Sequence, residues 1–421
     1  MKIDVRAPVS SVARDVLRVE KINVHVSRLD CVDLLRGIVM VLMALDHTRD
    51  YFVAPGFSPE DLAHTTGPMF FTRFITHFCA PAFFLLAGTG GYLSLARGKS
   101  VGEISRFYWT RGLWLVLLSL TVVSYAWTFT FHFWYGEVLW ALGFCMVAMA
   151  IIVRLPLRWI AASGVGMIVL HNLLDPINPG IFGKFAGFWL LLHGHGYAWM
   201  LPGRNIFLVS FPLIPWLGVM AAGYALGALL TRGNWRKPVF AIGALLTVSF
   251  LVLRIFHLYG NGDPALQPWE GDGAGLWRLQ PTLAMSVVSF FDTSKFPPSL
   301  QFLLMTLGPC LMLLAGLDMI DAKRGIARFL RVFGRVPLFY YILHLFLIHS
   351  LAVWVGLALH QPVSWLMHGA FMMQVPPPSY GHGLTFIYAM WALAIILLYL
   401  PCKVFMEFKR EHENWWWLRY L

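Results

Sequence analysis

Asp33-Leu-Leu-Arg36-Gly-Ile-Val-Met-Val-Leu-Met-Ala-Leu-Asp46-His47-Thr-Arg49-Asp50 decides the fold class. An unbroken apolar run, 37–45, lies between two charged ends. Eleven residues separate Arg36 from His47. At about 100° per residue they return to one helix face, about 16 Å apart along the axis. One face therefore carries a cation near one end and an imidazole towards the other. Ionisable groups at membrane depth cost roughly 2.5–3.5 kcal/mol each, so in a spanning helix they are functional candidates by default.

The rest of the chain makes this helix a membrane span. Of 421 residues, 58% are hydrophobic and only 13% charged. That is about half the charge of an ordinary soluble domain, which excludes a soluble enzyme, a disordered chain and a disulfide scaffold. Ten apolar segments have near-spanning length: 33–53, 71–95, 109–131, 136–153, 159–174, 206–230, 237–259, 299–318, 336–359 and 383–405. The stretch 181–192 is too short and reads as re-entrant or interfacial. The expected fold is all-α, a polytopic membrane protein of about ten helices.

The net charge of +11 follows from topology rather than nucleic-acid binding. Most Lys and Arg fall in the N-terminal segment, every second loop and the C-terminal segment. The positive-inside rule then puts both termini in the cytoplasm. Residues 1–28 read as a basic cytoplasmic tail without the apolar core of a signal peptide, and 29–421 as one transmembrane domain. Its long outer loops are about 175–205 and 260–298. The five cysteines have no CxxC spacing, and HExxH, Walker A, GxSxG and Rossmann motifs are absent, so no metal is expected.

Of 15 histidines, only His25 and His412 fall on the inner side. The others suggest an outward-facing polar cavity with general-base capacity. On the first helix His47 reaches Asp50 at i+3, and Asp46 reaches Arg49. Asp50 is thus the better local orienter of His47. Arg73 and His77, at i,i+4, share a face of the second span, where Pro81 permits a kink. Tyr340 and His344 share a face of the ninth.

Several long motifs resemble a known family. They are Arg28-Leu-Asp-Cys-Val-Asp33-Leu-Leu-Arg36-Gly, Met43-Ala-Leu-Asp46-His47-Thr-Arg49-Asp50, Thr72-Arg73-Phe-Ile-Thr-His77-Phe-Cys-Ala-Pro81, Phe211-Pro-Leu-Ile-Pro215-Trp216-Leu-Gly218 and Phe333-Gly-Arg335-Val-Pro-Leu-Phe-Tyr340-Tyr-Ile-Leu-His344. They are similar to bacterial relatives of heparan-α-glucosaminide N-acetyltransferase. The resemblance implies a transmembrane acetyltransferase in a bacterial inner membrane. It would move an acetyl group from cytosolic acetyl-CoA to a sugar or glycan outside, with acetyl-CoA as a substrate and no permanently bound cofactor. In the lysosomal enzyme the catalytic His lies in the loop after the first span, and its nearest counterpart here is His64.

The implied roles follow. His47 or His64 is the base, with Asp50 or Asp46 orienting it. Arg73, Arg49 or His77 stabilises developing charge, and His344 joins them on the substrate side. Arg106, Arg111 and Arg335 meet the donor phosphates, with Arg36 deeper. Direct transfer and an acetyl-histidine intermediate both stay open. The partners are the bilayer, donor and acceptor, with a homodimer left open. A transporter or flippase for a small polar or lipid-linked solute would use the same buried charges as a pathway.

Overall fold

A computed structural model describes residues 29–53, 58–194, 197–202, 205–262, 275–367, 377 and 379–421. The tail expected at 1–28 lies outside these residues, as do Arg204, His195 and His368. The described chain is mostly helical: α1 Asp30–Phe52, α2 Gly67–Ala96, α3 Val101–Thr128, α4 Val138–Ile152, α5 Leu157–Leu174, α6 Ala186–His193, α7 Leu213–Leu230, α8 Arg236–Ile255, α9 Leu283–Phe291, α10 Leu300–Leu317, α11 Gly325–Arg335, α12 Pro337–Ala358 and α13 Leu384–Glu411. Eight of these (α2, α3, α5, α7, α8, α10, α12 and α13) are long and apolar enough to cross a membrane. The chain is a multi-pass membrane protein. The other two expected spans are also helices. The first, α1, carries three charged residues among its buried ones, and α4 has 15 residues.

The helix ends follow local chemistry. Ser100 and Glu103 close a reciprocal capping box, which starts α3 eight residues before the apolar run. Pro337 stands in the first turn of α12, where a missing N–H costs nothing. The expected span 206–230 is different. Its first part is a strand, and its helix starts only after Pro212. Proline disfavours helical backbone in the residue before it, and 206–209 is rich in β-branched and aromatic residues.

The all-α expectation is corrected by a three-stranded sheet in the order β1-β3-β2. Strand β1 is Phe133–Gly136, β2 is Tyr197–Leu201 and β3 is Asn205–Val209. Phe133 pairs with Ile206 in parallel and Tyr197 with Val209 antiparallel. The loop expected at 175–205 therefore contains α6 and β2. Ile181, Phe182, Phe185 and Phe188 are exposed there, the pattern expected of an interfacial segment. The loop expected at 260–298 contains α9.

Helix α1 runs through the middle of the bundle, packed against α2, α10, α11, α12 and α13. This lets its charged residues find partners on other helices rather than face lipid. The outer helices expose apolar side chains instead, among them Leu245 and Val248 on α8 and Ile396 and Leu400 on α13.

Close helix crossings rest on glycine. A Cβ at Gly88 of α2 would stand 1.9 Å from the Met220 carbonyl oxygen, and one at Gly223 of α7 would stand 2.1 Å from that of Leu85. Small residues let backbones approach in this way. Gly88→Ala is therefore expected to cost about 1–3 kcal/mol, read as a lower Tm in detergent. An unchanged Tm would mean that the crossing can open without penalty.

Candidate active site

The α1 helix brings two polar clusters into the bundle. The first is a histidine pair. His47 Nδ1 lies 2.7 Å from His344 Nε2 of α12. His344 Nδ1 lies 3.0 Å from the Tyr340 carbonyl oxygen. A carbonyl only accepts, so His344 Nδ1 carries its proton and donates it there. In neutral His344, Nε2 is then an acceptor, and His47 Nδ1–H donates to it. His47 Nε2 is left with the lone pair. His47 is 8% exposed and His344 fully buried, so His47 is the less enclosed member of the pair. Trp127 stands edge-on to the His47 ring at 4.6 Å.

The second cluster is an ion-pair chain. Asp50 and Asp46 both accept from Arg49, the latter at 3.0 Å. Arg73 binds both Asp46 oxygens at 2.9 and 2.8 Å and Glu60 at 3.1 Å. His77 Nε2 is 2.8 Å from the same Glu60 oxygen. The expected Asp46–Arg49 contact is present, and Arg73 and His77 do act from one face. Asp50 does not orient His47 as the i+3 spacing suggests, because its carboxylate is taken by Arg49. Buried Arg49 keeps two donor nitrogens, Nε and Nη1, without a hydrogen-bond partner among the described residues.

Glu60, in the turn before α2, was not foreseen. Burial raises its carboxyl, but Arg73, the His77 hydrogen bond and Lys295 outweigh this and hold it well below the usual carboxylate range. A carboxylate depressed in the folded state stabilises the fold above its unfolded pKa of about 4.3, and the gain is lost as pH falls through the lower folded value. Thermal stability in detergent is expected to fall steeply below about pH 4, and to fall less in Glu60→Gln. Equal slopes for the two proteins would exclude Glu60 as the source.

His64 is a surface residue. Its side chain is 65% exposed and pairs with Asp61 at 2.6 Å. His349 is tied to the Ala126 and Leu366 carbonyls at 2.9 and 3.0 Å and stacks on Phe129. The described histidines thus occupy several separate places rather than one cavity. A cavity of about 720 Å³ lined by Leu62, Ala63, Asn261 and Arg278 has no histidine among the described residues of its wall.

At the N-terminal end of α1 lies a cavity of about 540 Å³. Arg36, Arg111, Arg335, Lys409 and Arg410 line it, opposed by Glu407 and Glu413. Arg36 donates to the Gly334 carbonyl oxygen at 3.0 Å and pairs with Asp33 at 3.3 Å. Arg335 pairs with Asp30 and Asp33, each at 3.4 Å. Arg106, expected beside them, is exposed and does not line the cavity. Tyr341 also lines this cavity. Its ring stands edge-on to His47 at 6.4 Å and to His344 at 5.4 Å. Its hydroxyl donates to buried Glu137, which fixes the ring between the cavity and the histidine pair. Tyr341 lies inside the quoted 333–344 motif, which gives it no role, and Glu137 lies in none of the quoted motifs.

The family model for the heparan-alpha-glucosaminide N-acetyltransferase catalytic domain matches residues 28–255. The chain belongs to this family. No individual curated protein matches it. In this heparan-alpha-glucosaminide N-acetyltransferase-like chain, the matched stretch contains His47, the whole ion-pair chain, Arg36 and Arg111. His344, Tyr341 and Arg335 lie beyond it. The histidine pair therefore joins the matched part to the C-terminal helices.

Proposed function

We propose that this chain is a transmembrane acetyltransferase. It takes the acetyl group of acetyl-CoA at the Arg36 end of α1 and delivers it to a sugar hydroxyl or amine at the opposite end. The observation that carries the reading is the His47–His344 pair, one tyrosine away from a cavity lined by five cations. The cavity has the size of a ligand pocket, and its cations suit the phosphates of CoA. Ten spans, with α1 and α4 among them, would put this basic end and both termini in the cytoplasm of a bacterium whose inner membrane holds the protein.

In this mechanism His47 Nε2 takes the proton of the acceptor as it attacks the thioester carbonyl. His344 holds His47 in the required tautomer and carries the hydrogen bond that stabilises the imidazolium. The unpartnered Arg49 donors suit the negative charge that develops on the carbonyl oxygen. The C–S bond then breaks, and CoA leaves as a thiol by taking up a proton.

Donor binding is tested by thermal shift of the purified protein with acetyl-CoA, CoA and ATP. Acetyl-CoA and CoA are expected to stabilise it and ATP to do so less. Arg111→Ala is expected to weaken acetyl-CoA about tenfold, the loss of one charge-assisted contact of about 1.5 kcal/mol. Arg36 and Arg335 are poorer probes because they also hold α11 against α1. No shift at millimolar acetyl-CoA would overturn the reading and favour a transporter.

A further inference from the structure

A third polar cluster lies away from both clusters of the candidate active site. His171 opens the last turn of α5, Asp175 follows one turn later, and His193 ends α6. We propose that His171, Asp175 and His193 bind one divalent transition-metal ion of the zinc class.

The three side chains converge from two elements. His193 Nε2 is 2.8 Å from Asp175 Oδ1. One ligand atom from each residue can be chosen so that all three lie within 4.8 Å of one another. The two imidazole rings are 5.6 Å apart, edge to face. Tetrahedral zinc, with bonds of about 2.0–2.1 Å to nitrogen, would need them to close by roughly an ångström. A metal would replace the proton now shared between His193 and Asp175.

An independent observation points to a ligand. His171 is 1% exposed and His193 3%, yet both nitrogens of His171 and Nδ1 of His193 lack a hydrogen-bond partner among the described residues. A buried polar group without a partner is costly, and folded proteins rarely leave one. An imidazole with neither nitrogen satisfied next to a carboxylate is accounted for if a cation completes it.

The surroundings fit that cation. Asp175 Oδ2 accepts from Asn172 Nδ2 at 2.9 Å, and Asn172 Oδ1 accepts from the Leu300 amide at 2.8 Å. The carboxylate is thereby oriented from the N-terminus of α10, in the manner of outer partners that aim a metal ligand. Two imidazoles and one carboxylate favour zinc-class ions over magnesium or calcium, which prefer all-oxygen sites. Three protein ligands leave a fourth position open. The spacing escapes motif reading because the second histidine comes 18 residues after the carboxylate, on another helix.

The full chain, purified in detergent without a polyhistidine tag, is stripped with a chelator. It is then titrated with Zn²⁺, with Co²⁺ as the spectroscopic probe and Mg²⁺ as the control. The expected result is one Zn²⁺ retained per chain after desalting, a higher Tm with Zn²⁺ but not Mg²⁺, and visible d–d absorption with Co²⁺. His171→Ala and Asp175→Asn should each weaken Zn²⁺ by more than about tenfold. Should His171→Ala fail to fold, Asp175→Asn and His193→Gln carry the test. Substoichiometric Zn²⁺ in the wild type overturns the proposal, as does equal retention by wild type and variants. Loss of stability in the variants with no metal in the wild type identifies a hydrogen-bonded cluster only, and overturns it too.

Discussion

His47→Ala is expected to lower acetyl transfer by about 10²–10⁴-fold, the range for loss of a positioned general base, while acetyl-CoA still binds. The cation-lined cavity is bounded by Arg36, Arg111 and Tyr341 but not by His47, so binding and transfer are expected to separate. His344 gives a graded test. His344→Gln retains an acceptor for the His47 Nδ1–H, whereas His344→Ala removes it. The glutamine variant should therefore keep more activity. His64→Ala should leave the rate near wild type, because the His64 side chain is 65% exposed and pairs with Asp61 at the surface. Transfer within a few fold of wild type in His47→Ala, with a large loss in His64→Ala, would move the base to His64. The readout is acetylated product from radiolabelled acetyl-CoA and a glucosamine-type acceptor in proteoliposomes.

The second large effect is on stability. Asp46 accepts from Arg49 and twice from Arg73, and all three residues are largely withdrawn from solvent. Breaking a buried ion pair by removing one partner costs about 3–5 kcal/mol, because a charge stays buried without its counter-charge. Asp46→Asn is expected to fall in this range, measured by unfolding in mixed micelles. Combining Asp46→Asn with Arg73→Met should not recover the loss, because Arg73 also pairs with buried Glu60, which is then left without that cation. Asp46→Asn within about 0.5 kcal/mol of wild type would mean that water reaches the chain of ion pairs and screens it.

The two clusters differ in how far they could be read from residues. The i+3 contact of Asp46 with Arg49 and the shared face of Arg73 and His77 follow from helix periodicity within one segment. Glu60 could not be found this way. It lies in a turn without a period, and only the folding of that turn against α2 shows that Arg73 and His77 converge on it. The assignment of Asp50 to His47 failed for a related reason. Spacing places both within reach, but Arg49 competes for the same carboxylate and the His47 ring turns towards α12.

Hydropathy alone determined that this chain is a multi-pass helical membrane protein, because the cost of placing polar groups in lipid sorts segments by composition. Periodicity determined that Arg36 and His47 lie along one face of α1. Its own motifs determined the family. Only the tertiary structure decided that His344, 297 residues away, completes the pair, that Tyr341 stands between it and the cation-lined cavity, and that residues 206–209 leave a nominal span to form a strand. Helical geometry fixes which side chains share a face. Which faces meet is set by packing between distant segments, here by glycines that let helix backbones nearly touch.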